Sequence, residues 1–126
     1  MLCHYYITLR CNATCEFCSC WQNEKADQIE ERPVDLLPLK QKGIKVLNIT
    51  GGEPLLSPHL LPVLQQAKNI GLRTDLSTNG LLYAEQAKGI AGLVDNLFFS
   101  LDYPTAEEHD RSRGVESFHQ IMAAIH

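Results

Sequence analysis

The chain has 126 residues and a formal net charge of −4, from 15 acidic and 11 basic side chains. That length accommodates one small domain, and 44% hydrophobic against 21% charged residues excludes a disordered polypeptide. The acidic balance argues against broad nucleic-acid binding, which needs basic patches, and no apolar stretch reaches the roughly 18 residues of a membrane helix. Arg10 follows the first apolar run, the reverse of a signal peptide, so a cytoplasmic protein is expected.

Residues 2–9 (LCHYYITL) predict a strand from their β-branched and aromatic content. The cysteines Cys3, Cys11, Cys15, Cys18 and Cys20 all fall in the first 20 residues. A secreted disulfide framework would spread them along the chain, so four within ten residues point to metal ligation. Residues 22–33 are polar without an apolar stripe and read as a solvated loop or marginal helix. A short helix is expected over 35–42, weakened by Pro38 and capped by Gly43, before a strand over 45–50. Ser57 as N-cap and Pro58 as first helical residue open a helix with the stripe Leu60, Val63, Leu64 and Ala67, which Gly71 ends. A strand over 72–77, a turn at Asn79-Gly80, a helix over 83–91 and a strand over 95–102 follow. A last helix over 116–125 sets Phe118, Ile121, Met122 and Ile125 on one face.

Strand–helix alternation implies parallel strands joined by crossover helices. The strands start about 31 residues apart on average, the unit length of a (βα) barrel of the TIM type. Three strands are two-faced: Asn48 and Thr50, Asp75 and Ser77, and Asn96, Ser100 and Asp102 alternate with Leu47, Ile49, Leu76, Leu97, Phe99 and Leu101. A parallel strand covered on both sides would be apolar on both, so the polar face points to a barrel or half-barrel around a polar ligand.

Cys11, Cys15 and Cys18 form a CxxxCxxC array in the loop after the first strand. A loop can wrap three thiolates around an iron–sulfur cluster, and three ligands on four irons leave one iron open. A zinc module using Cys15, Cys18 and Cys20 is the alternative, although no distant cysteine or histidine pair completes it. Cys3 reads as a small buried hydrophobe, Cys20 as a free thiol, and Trp21 as a cover over the cysteine loop. No role is expected for His59, His109, His119 or His126, and His4 is expected to be packed.

At these residues the chain resembles the radical S-adenosylmethionine (SAM) enzymes. The resemblance implies a [4Fe–4S] cluster on Cys11, Cys15 and Cys18 whose open iron chelates the amino and carboxylate groups of SAM. A single electron, from a donor such as flavodoxin or ferredoxin, would then release a 5′-deoxyadenosyl radical that abstracts hydrogen from a substrate, a peptide or cofactor precursor. Gly51-Gly52-Glu53-Pro54 is similar to the family's GGEP turn, whose backbone meets the methionine amino group. Ser77-Thr78-Asn79-Gly80 resembles the stretch that lines the barrel near the cofactor. By the same resemblance Ser100, Asp102 and Arg113, rather than Arg111, serve the carboxylate or ribose, and Phe17 lies against adenine. The implied fold is an α/β partial TIM-type barrel of six strand–helix units. Residues 1–126 would supply the first four as a single domain, so a truncated core is expected, with a catalytically incomplete fragment as an alternative reading.

Overall fold

A computed structural model describes residues 1–23 and 34–125. Most of the polar segment expected as a loop or marginal helix lies outside the described residues, as does His126. Four strands, β1 (Leu2–Thr8), β2 (Val46–Gly51), β3 (Arg73–Thr78) and β4 (Asn96–Phe99), form one sheet in the order β1-β2-β3-β4. Every neighbouring pair is parallel. Helices α1 (Leu37–Gln41), α2 (Leu60–Asn69) and α3 (Tyr83–Ile90) make the crossovers, and α4 (Ala106–Arg113) and α5 (Phe118–Ile125) follow β4. This is the parallel strand–helix alternation expected from the sequence, the beginning of a partial barrel. No described helix is long and apolar enough to cross a membrane.

The register sorts the side chains between two faces. Ile49, Leu76 and Leu97 stand in one row under the helices, where Leu47, Ile49 and Leu76 are fully buried with Leu64 and Val63 of α2. The opposite row runs His4, Asn48, Asp75, Asn96, with the Asn96 amide donating to Asp75 at 2.8 Å. Phe98 interrupts this polar face and is 52% exposed. Phe99 instead points to the helices and packs edge-on against Tyr83, ring centroids 5.0 Å apart.

Several boundaries and one helix differ from the sequence reading. α2 starts at Leu60, because the Ser57 hydroxyl accepts from the His59 N–H and caps a turn ahead of the helix. β4 ends at Phe99, so Ser100 and Asp102 lie in the loop beyond it, although the Ser100 N–H still donates to the Thr78 carbonyl. Helix α4 was not anticipated. Its buried residues, His109, Ser112 and Arg113, are polar, so it carries no apolar stripe. Its termini are nonetheless well signalled: Thr105 and Glu108 form a capping box, and Gly114 closes the helix in the left-handed conformation at φ 67°.

Leu64→Ala and Leu76→Ala should each cost about 2–5 kcal/mol in urea unfolding, because both side chains are fully enclosed. Leu61→Ala, on the 39% exposed face of α2, should cost less than about 1 kcal/mol. Equal losses at all three would contradict this assignment of the covered face.

Candidate functional site

The cysteine loop leaves β1 beside the turn that follows β2. Gly52 N–H donates to the Thr8 carbonyl at 2.9 Å and Glu53 N–H to the Arg10 carbonyl at 2.7 Å, so the two segments leave the sheet zipped together. A Cβ on Gly52 would lie 2.1 Å from the Arg10 oxygen, an approach only glycine permits. The far side of the loop is held by the end of α4. Thr14 N–H donates to the Arg113 carbonyl at 2.9 Å and Glu16 N–H to that of Ser112 at 3.0 Å, satisfying carbonyls that a helix end leaves unpaired. The Trp21 indole N–H donates to the Cys15 carbonyl at 2.9 Å, which places Trp21 across the loop.

Glu53 ties the loops together. Its side chain is 1% exposed, and its carboxylate accepts from the Thr78 hydroxyl at 2.6 Å, the Asn79 N–H at 2.8 Å and the Leu55 N–H at 3.2 Å. The Asn79 amide donates in turn to Asn12 at 2.7 Å, inside the cysteine loop. Burial pushes the Glu53 carboxyl above its ordinary range, and the bonds from Asn79, Thr78 and Leu55 pull it back.

A single cavity of about 210 Å³ brings most of the expected residues together. Cys11, Cys15 and Cys18 border it, with Gly51 to Glu53, Ser77 to Asn79, and Phe17, Ser100 and Arg113. Pro54 lies outside its wall, buried at the start of a short 3-10 turn, and Asp102 borders an adjoining cleft with Phe17, Tyr103 and Ser112. Among the described residues the buried Ser112 hydroxyl has no hydrogen-bond partner.

The donor set suits a multi-iron cluster. Among the described residues no three His, Cys, Asp or Glu side chains converge closely enough to hold a single metal ion, and this applies to Cys11, Cys15 and Cys18 as it does to Cys15, Cys18 and Cys20. The thiols instead stand around one cavity, and thiolate is the characteristic ligand of iron–sulfur clusters. Burial raises Cys11 most, a bond from the Ala13 backbone opposes it, and Glu53 and the neighbouring thiols add to it. A cationic cluster would supply the charge that releases its proton.

Arg113 is 9% exposed and tightly engaged. Its Nε and Nη2 donate to the two Asp102 carboxylate oxygens at 2.7 and 2.8 Å, Nη1 lies 3.5 Å from Cys15 Sγ, and the guanidinium sits 5.3 Å from the Phe17 ring centre. Burial opposes its charge, and Asp102 outweighs that. Its fork is on Asp102, and it also borders the cavity that the three thiols share. His109, for which no role is expected from the sequence, is fully buried beneath this pair. Its Nδ1 accepts from the Asp102 N–H at 3.2 Å, so Nε2 carries the proton toward Ser117 Oγ, 3.0 Å away. Burial, then Arg113, pushes His109 down and keeps it neutral. Asp110 accepts from the Ser117 and Phe118 N–H groups, both at 2.9 Å, and so starts α5 at Phe118 rather than residue 116.

Residues 5–126 match the radical SAM superfamily. The chain belongs to that superfamily. It is 33% identical to the AdoMet-dependent heme synthase of Oleidesulfovibrio alaskensis, over 94% of this chain and 32% of that protein. It is 36% identical to the tungsten-containing aldehyde ferredoxin oxidoreductase cofactor-modifying protein of Pyrococcus furiosus, over 80% of this chain and 31% of that one. A GTP 3′,8-cyclase of Synechococcus is 35% identical over 87% of this chain and 36% of its own length. The fold matches Streptococcus suis SuiB bound to S-adenosylmethionine with a TM-score of 0.80, at 22% identity, over 98% of this chain and 30% of SuiB. The radical SAM chain thus spans about a third of the length of these relatives.

Glu53→Ala leaves buried donors on Thr78 and Asn79 unpaired and should cost about 1–3 kcal/mol for each, read by urea unfolding. Because the folded carboxyl binds its proton more tightly than the unfolded one, its contribution to stability is present at low pH. It is lost as pH rises from the unfolded value through the raised folded value. Glu53→Gln should flatten that part of the stability–pH curve; an unchanged curve contradicts the assignment.

Proposed function

We propose that these residues form the cofactor-binding part of a radical SAM enzyme, with Cys11, Cys15 and Cys18 holding a [4Fe–4S] cluster. The supporting observation is the one cavity that the three thiols share with the Gly51–Glu53 turn and the Ser77–Asn79 strand end. When bound, the cluster and SAM supply a one-electron cleavage whose 5′-deoxyadenosyl radical removes hydrogen from a substrate. The chain's own residues bind and orient. The N–H groups of Gly52 and Glu53 are taken by the Thr8 and Arg10 carbonyls, so this turn offers carbonyl oxygen, the right partner for the methionine ammonium. Gly51 and Gly52 let the cysteine loop close on this turn, since a Cβ there would lie 2.3 Å from the Thr8 oxygen or 2.1 Å from the Arg10 oxygen, and Pro54 fixes the turn from behind. Ser77 and Ser100 supply hydroxyls for the ribose or carboxylate, while Thr78 and Asn79 hold Glu53 in place. Phe17, 62% exposed, presents an apolar surface for adenine.

The open polar face of the sheet is where a substrate would lie. A cofactor precursor or peptide is the substrate class, and the relatives named for heme synthesis and cofactor modification favour the first. A flavodoxin- or ferredoxin-type protein in the cytoplasm would deliver the electron. Because the chain spans about a third of its relatives, turnover is assigned to the full natural polypeptide rather than to these residues alone.

The test is formation of 5′-deoxyadenosine from SAM by the full natural polypeptide, reconstituted with iron and sulfide without oxygen and reduced by dithionite. The nucleoside should form, Cys11→Ala, Cys15→Ala and Cys18→Ala should each abolish it, and Cys3→Ala should leave it unchanged. Absence of product from fully reconstituted protein would overturn the proposal.

A further inference from the structure

The Arg113–Asp102 pair has a geometry that binding SAM does not require. One edge of the guanidinium is locked in a two-bond fork on Asp102, and another nitrogen reaches the Cys15 sulfur at 3.5 Å. We propose that Arg113 is a positioning residue that holds a positive charge against the Cys15 ligand and raises the reduction potential of the cluster, with Asp102 limiting the effect. This rests on the cluster assignment made above.

The sequence position explains why a cation is needed. The loop docks on the carbonyl end of α4, through Thr14 and Glu16, and that end of a helix carries partial negative charge. An electron added to a thiolate-bound cluster beside it meets repulsion, and a guanidinium next to one ligand sulfur offsets this. Because Arg113 is 9% exposed, solvent screens its charge little. Its aim is fixed several times over. Its own carbonyl binds Thr14, its side chain is forked on Asp102, and the Asp102 N–H is held by neutral His109, itself bonded to Ser117. Lysine lacks the planar fork and could not hold both contacts. Gly114 completes the docking: a Cβ there would lie 1.9 Å from Thr14 Oγ1. The step affected is transfer of one electron from a reduced protein donor or dithionite to the cluster; no bond or proton at Arg113 changes.

The two charges give opposite signs, which a merely structural role would not. The midpoint potential of the cluster is measured by EPR-monitored redox titration in the reconstituted full natural polypeptide. Arg113→Gln should lower it enough to cut the reduced-to-oxidised ratio at a fixed potential at least tenfold, about 59 mV for a one-electron couple. Asp102→Asn should raise it, and Arg113→Lys should fall between wild type and Arg113→Gln. If Arg113→Gln assembles no cluster, Arg113→Lys and Asp102→Asn carry the test by the same opposite signs. Unchanged potentials, or shifts of one sign in both the arginine and aspartate variants, would overturn the proposal while leaving the cluster assignment intact. Failure of the wild-type protein to assemble a four-iron cluster would overturn both.

Discussion

A carboxylate with 1% of its surface exposed must find hydrogen bonds on every side, and Glu53 finds them only if three loops meet. Its oxygens accept from the start of its own turn at Leu55 and from the end of β3 at Thr78 and Asn79, and Asn79 passes the connection on to Asn12 of the cysteine loop. Remove the acceptor and the ends of β2 and β3 lose their common anchor. The sheet sets these ends side by side, because parallel strands all finish at one edge. Glu53 converts that adjacency into a cavity wall.

The cysteine loop is gripped from two sides with different chemistry. Against β2 it is zipped by backbone bonds that glycine alone permits at Gly52; against α4 it satisfies the last helical carbonyls, with Arg113 extending the contact to Cys15. The radical SAM core therefore places its three thiols by backbone geometry. What the helix adds is a buried cation beside Cys15, and buried charges act more strongly than surface ones. The same chain segment that ends α4 thus serves both docking and electrostatics.

Much of this arrangement was legible in the residue order. The strands and their parallel order follow from alternating side chains and regular spacing, and the CxxxCxxC and Gly51–Pro54 segments are contiguous, so short-range reading found them. Helix α4 was not read, because its inward residues His109, Ser112 and Arg113 are polar and periodicity looks for apolar ones. The capping box at Thr105 and Glu108 and the glycine at 114 were the available signals. The partners of Arg113 and His109 lie in loops brought close only by the fold, as Cys15 does from 98 positions away. The fork between the Asp102 carboxylate and Arg113 likewise becomes visible only in the fold.

On the proposed function, the meeting point of these loops holds a cluster with one iron open to SAM. The direct measurement is the EPR spectrum of the reconstituted, dithionite-reduced full natural polypeptide before and after SAM is added. A four-iron signal whose shape changes on addition is expected. A four-iron signal that SAM leaves untouched would contradict it.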